Sequence, residues 1–266
     1  MRVDSMRLQT ELIFWRRHGH VVDRGSYLRV ETPSNPSYYG GNLLVFEDAP
    51  AEGDERRWPE LFAREFAHNP EIRHVLFGWD IRDNHVGEVE AFLDAGYVME
   101  NDVTLLADEV HPPPHVNREI EIRRIETEAD WASMLEIQVR CRHERFELEA
   151  YKEFKKRKIK DQRALIDEGV GDWYGAFIGE RAVSNLGLFR EGEMARFQEV
   201  GTDPDFRRRG ICGTLVHHVS RTALEQQGVK TLVMAADENY HAAKIYESVG
   251  FRPRERFAWL CLYPPK

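Results

Sequence analysis

The residues best equipped for chemistry lie between Thr202 and Leu215. The run Thr202-Asp203-Pro204-Asp205-Phe206-Arg207-Arg208-Arg209-Gly210-Ile211-Cys212-Gly213-Thr214-Leu215 reads as a strand end, a tight basic loop with two glycines and the first turn of a helix. Apolar residues at Ile211, Leu215, Val216, Val219 and Ala223 give that helix one buried face, and Gly228 is a natural stop. Such a loop aims backbone N–H groups and a positive helix end at one spot, with arginines beside it, which suits a phosphate or pyrophosphate. The glycines at Gly210 and Gly213 let an anion approach the backbone. The same residues also read as a plain solvated helix start, since short motifs are loose predictors.

Two familiar phosphate motifs are excluded: neither Gly-x-x-x-x-Gly-Lys-Ser/Thr nor Gly-x-Gly-x-x-Gly occurs here. A second cluster follows downstream. Val229–Ala235 is an apolar run with strand character, and Asn239, Ala242, Tyr246 and Gly250-Phe251 then recur at helical spacing. Gly250 stands where a left-handed residue ends a helix, and Phe257–Tyr263 reads as a further strand.

Arg207-x-x-Gly210-Ile211-x-x-x-Leu215, followed by Asn239, Ala242, Tyr246 and Gly250-Phe251, resembles the two cofactor motifs of the Gcn5-related N-acetyltransferases (GNAT), in the same order. The resemblance covers roughly residues 119–263. It departs at Cys212, where that family prefers Gly or Ala; cysteine is small enough to pack as an apolar residue. The resemblance implies acetyl-CoA as cosubstrate, lying where a central strand splays from its neighbour. Backbone groups of Val200, Gly201 and Thr202 would hold the pantetheine and acetyl carbonyl. Those of Arg208, Arg209, Gly210, Ile211, Cys212, Gly213 and Thr214, beside Arg207, would hold the pyrophosphate, Asn239 would orient the cofactor or a water, and Ala242 would belong to the cofactor site. Tyr246 matches the family's general acid, and a phenol, with its ordinary pKa of about 10, is protonated at neutral pH; it also reads as a core aromatic. Glu199 is the candidate general base. Strict alternation along its strand would put it on the face of Gly201, opposite Val200 and Thr202. The implied reaction moves an acetyl group to a primary amine of a small molecule or peptide by direct attack in a ternary complex. A non-catalytic acyl-CoA sensor is the alternative.

These residues need a scaffold, and the chain offers two copies of one. Residues 5–17 have the pattern of an amphipathic helix; Ser26–Glu31 and Asn42–Glu47 read as strands, Pro59–Phe66 as a helix, Arg73–Trp79 as a strand, Glu88–Asp94 as a helix and Tyr97–Leu106 as a strand. His74–Asp80 matches Thr231–Asp237 in pattern, Ala91–Tyr97 matches Ile245–Phe251, and Val103–Leu106 falls opposite Phe257–Leu260. The first half therefore reads as a degenerate copy, although any strand–helix–strand unit shares some of this pattern. Its loop, Asp48-Ala49-Pro50-Ala51-Glu52-Gly53-Asp54-Glu55, is acidic where a pyrophosphate needs positive charge, and Phe92 replaces Tyr246. The expected division is 1–106, a degenerate domain without the cofactor loop; 107–118, a stiff proline-rich linker; and 119–266, the catalytic domain. The expected class is α+β: two consecutive GNAT-like units with mixed, mostly antiparallel sheets flanked by helices.

In the second half, Glu119–Ile125 alternates like a strand. Thr127 and Asp130 form a capping pair before a helix through Val139, and Leu148–Asp167 is a charged helix. The resemblance places this helical pair beside the acceptor cleft. The run Lys155-Lys156-Arg157-Lys158-Ile159-Lys160 suits an acidic partner or, more simply, a solvated helix face. His111 and His115 lack the companions of a metal site, and no metal is expected. Cys141 and His143 are two apart on a helix and do not face each other.

Composition bounds the rest. The 266 residues are 42% hydrophobic and 31% charged, as in soluble globular proteins. No apolar run reaches membrane-spanning length, and the first residues lack a signal-peptide pattern. A formal net charge of −9 argues against nucleic-acid binding and fits a cationic amine acceptor. Three scattered cysteines point to a reducing cytoplasm. Monomer and homodimer are both compatible with the sequence.

Overall fold

The computed structural model describes residues 1–238 and 242–264. In chain order the elements are α1 (Met6–His18), β1 (His20–Asp23), β2 (Tyr27–Glu31), β3 (Leu43–Phe46), α2 (Asp54–Glu65), β4 (Val75–Ile81), α3 (Glu90–Asp94), β5 (Val98–Ala107), β6 (Glu121–Arg124), α4 (Glu128–Arg140), α5 (Leu148–Asp167), β7 (Gly171–Ile178), β8 (Arg181–Glu191), β9 (Met194–Thr202), α6 (Ile211–Gln226), β10 (Thr231–Asp237), α7 (Ala242–Glu247) and β11 (Arg252–Leu262). The fold is a mixed, mostly antiparallel α+β arrangement in two compact units.

The first unit comprises Met1–Thr104 together with the C-terminal strand from Arg254. Its strands run in the order β1-β2-β3-β4-β11-β5, the last residues of β5 passing into the second unit. β3 and β4 are parallel, with Leu44 opposite Phe77 and Val45 opposite Gly78. β11 joins β4 antiparallel from Arg256↔Ile81 to Leu262↔Val75. Ser5 caps α1 by accepting from Leu8 N at 3.2 Å, and the helix buries Leu8, Leu12 and Trp15 against Leu28, Val30, Leu43 and Phe257. The other face is an aromatic core. Trp58 stacks on Phe46 with centroids 3.7 Å apart, and Phe77 and Phe92 pack edge to face at 6.0 Å. Large apolar rings of this kind dominate burial energetics.

The second unit comprises Leu105–Ala236 and the stretch through α7 to Pro253. Its strands run β10-β9-β8-β7-β6. All neighbours are antiparallel except β9 and β10, which run parallel through Met194–Arg196 and Thr231–Val233. α4 begins with a full capping box of Thr127 and Asp130, and Asp130 is further held by Arg123 at 2.7 and 2.8 Å. Both units therefore carry one parallel pair in an otherwise antiparallel sheet, which is the repeat seen in the sequence.

The compact units divide between Thr104 and Leu105, beside the expected 106, but they set off no separate linker and do not keep residues 119–266 together. The last strand of the chain completes the sheet of the first unit, because its apolar residues Phe257, Leu260 and Cys261 are buried there. The proline-rich segment belongs to the second unit, and Pro113 is buried in it. Two smaller expectations also change. β1 was unmarked in the sequence because its residues are at most half-buried and do not alternate. α2 starts at Asp54 rather than Pro59, so Pro59 sits inside the helix and gives up one backbone hydrogen bond.

Candidate functional site

The site is built where β9 leaves its parallel neighbour. β9 extends to Thr202, but its pairing with β10 ends at Arg196; the rest of the strand parts from β10 and borders a cavity of about 1180 Å³. That exceeds the roughly 300–1,000 Å³ of ordinary small-molecule sites. Val200, Gly201 and Thr202 line it, as do Arg207–Gly213 and, from α7, Ala242 and Tyr246. Thr214 does not; its hydroxyl accepts from Asn117 N at 2.9 Å and donates to Gly210 O at 2.8 Å. Asn239 lies outside the described residues.

A buried carboxylate fixes the entry to the basic loop. Asp203, 2% exposed, accepts from Arg140 at 2.6 Å, from Arg181 at 3.0 Å and from the Asp205 amide at 3.1 Å. The turn at Pro204–Phe206 follows, with the guanidiniums of Arg181 and Arg209 at 4.7 and 5.4 Å from the Phe206 ring centroid. Arg208 and Gly210 are both left-handed, with φ of 61° and 72°. Gly210 is the N-cap of α6 and brings no side chain to bond the N–H groups of the first turn. Arg207 bends back to Thr202 O at 3.3 Å and to Cys141 Sγ at 3.6 Å. Arg209 pairs with Glu119, and Lys244 adds a further cation to the lining.

Glu199 is placed differently from strict alternation. Register slips between Asn185 and Gly187 where they face β9, and Glu199 takes φ of 53°, a conformation rare outside glycine. This is a β-bulge, and it re-aims the strand. The Glu199 carboxylate is clasped by Lys155 and Lys158 and is not among the groups lining the cavity. Gln138 Nε2 donates to the Glu199 carbonyl and to Asn185 Oδ1, both at 2.9 Å, while Gln138 Oε1 accepts from Lys155 Nζ at 3.0 Å. Burial alone would raise the Glu199 pKa, but the charges and hydrogen bonds of the two lysines outweigh it and hold the carboxyl well below the usual range. Burial lowers the Lys155 pKa, against the opposing pull of Glu199.

Tyr246 is 5% exposed and packs edge-on to Phe251, with centroids 6.4 Å apart. Burial pushes the Cys212 thiol up to about 12, so the residue that departs from the family pattern stays neutral. Burial also raises the Cys141 thiol, with Arg207 opposing, and Cys141 Sγ donates to Thr202 O at 3.3 Å. Neither thiol has the electropositive, lowered-pKa setting of a nucleophile. Sequence reasoning missed Cys141, Pro113, Pro114 and His115 as lining residues. The helix-end position of Cys141 gave no signal, and the prolines read as a tether.

The matching place in the first unit is filled. Phe92, which stands opposite Tyr246 in the repeat, is fully buried against Trp58, Phe77 and Tyr97. Asp54, at the start of α2, turns its own carboxylate back to accept from Ala51 N at 2.9 Å. Among the described residues no three His, Cys, Asp or Glu side chains are grouped to hold a metal ion, and no helix is long and apolar enough to cross a membrane.

The strand that parts from its parallel neighbour above a basic loop and helix start belongs to the second unit, and the chain as a whole has the fold of solved Gcn5-related N-acetyltransferases, a tandem one among them. Residues 185–260 match the family model described as FR47-like protein. Among solved structures, a functionally unknown conserved protein from Staphylococcus epidermidis superposes with a TM-score of 0.72 at 13% identity, covering 94% of this chain and 96% of its own. A GCN5-related N-acetyltransferase from Kribbella flavida gives 0.65 at 14% identity, covering 95% and 93%. A tandem GNAT protein from the clavulanic acid biosynthesis pathway gives 0.53 at 12% identity, covering 85% and 82%. No curated protein sequence matches the chain.

Proposed function

We propose that the second unit binds acetyl-CoA and transfers its acetyl group to a primary amine of a small molecule or peptide. The observation that carries this reading is the parting of β9 from β10 beside the arginine-glycine loop, with one cavity lined by both. The residues present suit the cosubstrate: three consecutive arginines, an uncapped helix start at Gly210 and a largely apolar channel wall. Arg207–Gly213 take the pyrophosphate, and Val200–Thr202 take the pantetheine and acyl carbonyl.

Acetyl-CoA supplies an activated acyl group. The bulge at Glu199 turns the backbone at Val200, whose N–H serves as donor to the carbonyl oxygen as charge develops on it. The amine enters neutral. Its nitrogen forms the new C–N bond as the C–S bond breaks. Tyr246 Oη gives its proton to the departing sulfur and regains one from the nitrogen, directly or through water. Protons balance without a separate base. Glu199, held ionised by two lysines, is too weak a base for that role and serves instead to shape the bulge.

Thermal shift and thiol release test the reading together. Acetyl-CoA at a hundredfold excess over its dissociation constant is expected to stabilise the protein by about 2.7 kcal/mol, with no comparable effect of NADH or ATP. Free thiol appears with the correct amine in a panel of small amines, aminoglycosides and peptide N-termini. Binding without thiol release across the panel favours an acyl-CoA sensor; no shift with acetyl-CoA ends both readings.

A further inference from the structure

The segment from Glu109 to Glu119 does not behave as a tether. It runs along the end of α7 and the start of α6 and is pinned at several points. His111 N donates to Val249 O at 3.1 Å. Asn117 is the main anchor: its amide donates to Thr214 Oγ1 at 2.9 Å, its Nδ2 donates to Arg209 O at 2.8 Å, and its Oδ1 accepts from Glu119 N at 2.9 Å. Glu119 then pairs with Arg209.

The contact is close enough to explain the glycines of the loop. A Cβ at Gly210 would lie 2.1 Å from the His115 carbonyl oxygen, and one at Gly213 would lie 3.1 Å from Pro113 Cβ. The first is impossible without backbone movement. These glycines therefore admit the strap, whatever they also do for an anion. Pro113, Pro114 and His115 line the same cavity as Arg207–Gly213, beside the helix start where the phosphates belong.

Building on the reading of this site as an acyl-CoA site, we propose that the strap is a wall of its phosphate-bearing end. Pro113 and Pro114 give it a stiff surface, and the exposed His115 ring adds an N–H donor for a phosphate oxygen. Asn117 is a positioning residue that keeps this wall in place. The strap is prepared before the ligand arrives, and ligand contact tightens it.

Calorimetric titration of the full chain with acetyl-CoA tests this, with Asn117→Ala and His115→Ala compared with the unmodified protein. Loss of the three hydrogen bonds of the Asn117 side chain, or of the single contact offered by His115, is expected to weaken binding roughly tenfold in each variant, and His115→Ala should leave the ligand-free melting temperature close to that of the parent. Hydrogen exchange gives an independent reading on the parent protein: the amides of His111 and of residues 115–119 should slow when acetyl-CoA is added. A parent that binds acetyl-CoA, with unchanged or tighter binding in both variants and no slowing of these amides, overturns the strap and leaves the acyl-CoA reading standing. A parent that does not bind acetyl-CoA overturns both.

Discussion

Tyr246 carries the sharpest consequence at the level of single residues. Its ring is buried and meets Phe251, so removing only the hydroxyl leaves the packing in place. In Tyr246→Phe, turnover is expected to fall roughly 10²- to 10⁴-fold, the size of a general-acid contribution. kcat and kcat/KM should fall together, the mark of an interaction made in the transition state. Acetyl-CoA affinity should hardly change, because the arginine loop is untouched. Near-parental kcat with a slightly lower melting temperature would return Tyr246 to the status of a core aromatic. Tyr246 and the loop were legible in the sequence because each motif is short, contiguous and marked by glycine. Glu199 was misplaced because its φ of 53° breaks the two-residue period, and nothing in the neighbouring residue types announces that break.

At the scale of elements, β9 is held out of regular geometry by α4 and α5. Gln138 reaches across from α4 to the Glu199 carbonyl, and Lys155 and Lys158 from α5 close on its carboxylate. The lysine run thus has two faces: Lys155 and Lys158 turn inward, and Lys156 stays at the surface with Glu153. From sequence the run was one charged stretch, since its period cannot say which lysines find a buried partner. Removing one member of a buried pair leaves the other charge uncompensated. Glu199→Gln should therefore cost about 3–5 kcal/mol in urea unfolding, and Lys155→Met combined with Glu199→Gln should recover part of that. If Glu199 only shapes the bulge, Glu199→Gln keeps the acidic limb of the pH–rate profile; a general base at this position would remove that limb. The strap escaped sequence reading for a related reason: three prolines specify stiffness, not the surface they lie on.

Across the whole molecule, the titration of the first unit offers a test independent of catalysis. His74 is 1% exposed, with Nε2 2.9 Å from Asn42 O, and burial lowers its pKa to about 4. A histidine lowered in the folded state is protonated first in the unfolded chain, so its share of stability is complete above pH 6.5 and is lost as the pH falls towards 4, by at most about 3 kcal/mol. Asp80 works the other way. Burial raises it to about 6, so the folded state gains as the pH falls through that value. Urea unfolding between pH 7 and 4.5 should show His74→Gln losing less stability than the parent over this window and Asp80→Asn losing more; three parallel curves would rule out both roles. The pairing of β11 with β4 has a consequence for synthesis. The first unit lacks one strand of its sheet until β11 has left the ribosome, roughly ten to thirty seconds after β4 at ordinary elongation rates. For that interval β4 presents an open edge able to capture another strand. The nascent N-terminal half therefore carries an open strand edge through that interval, and cutting the gene between the two sequence repeats would make that exposure permanent.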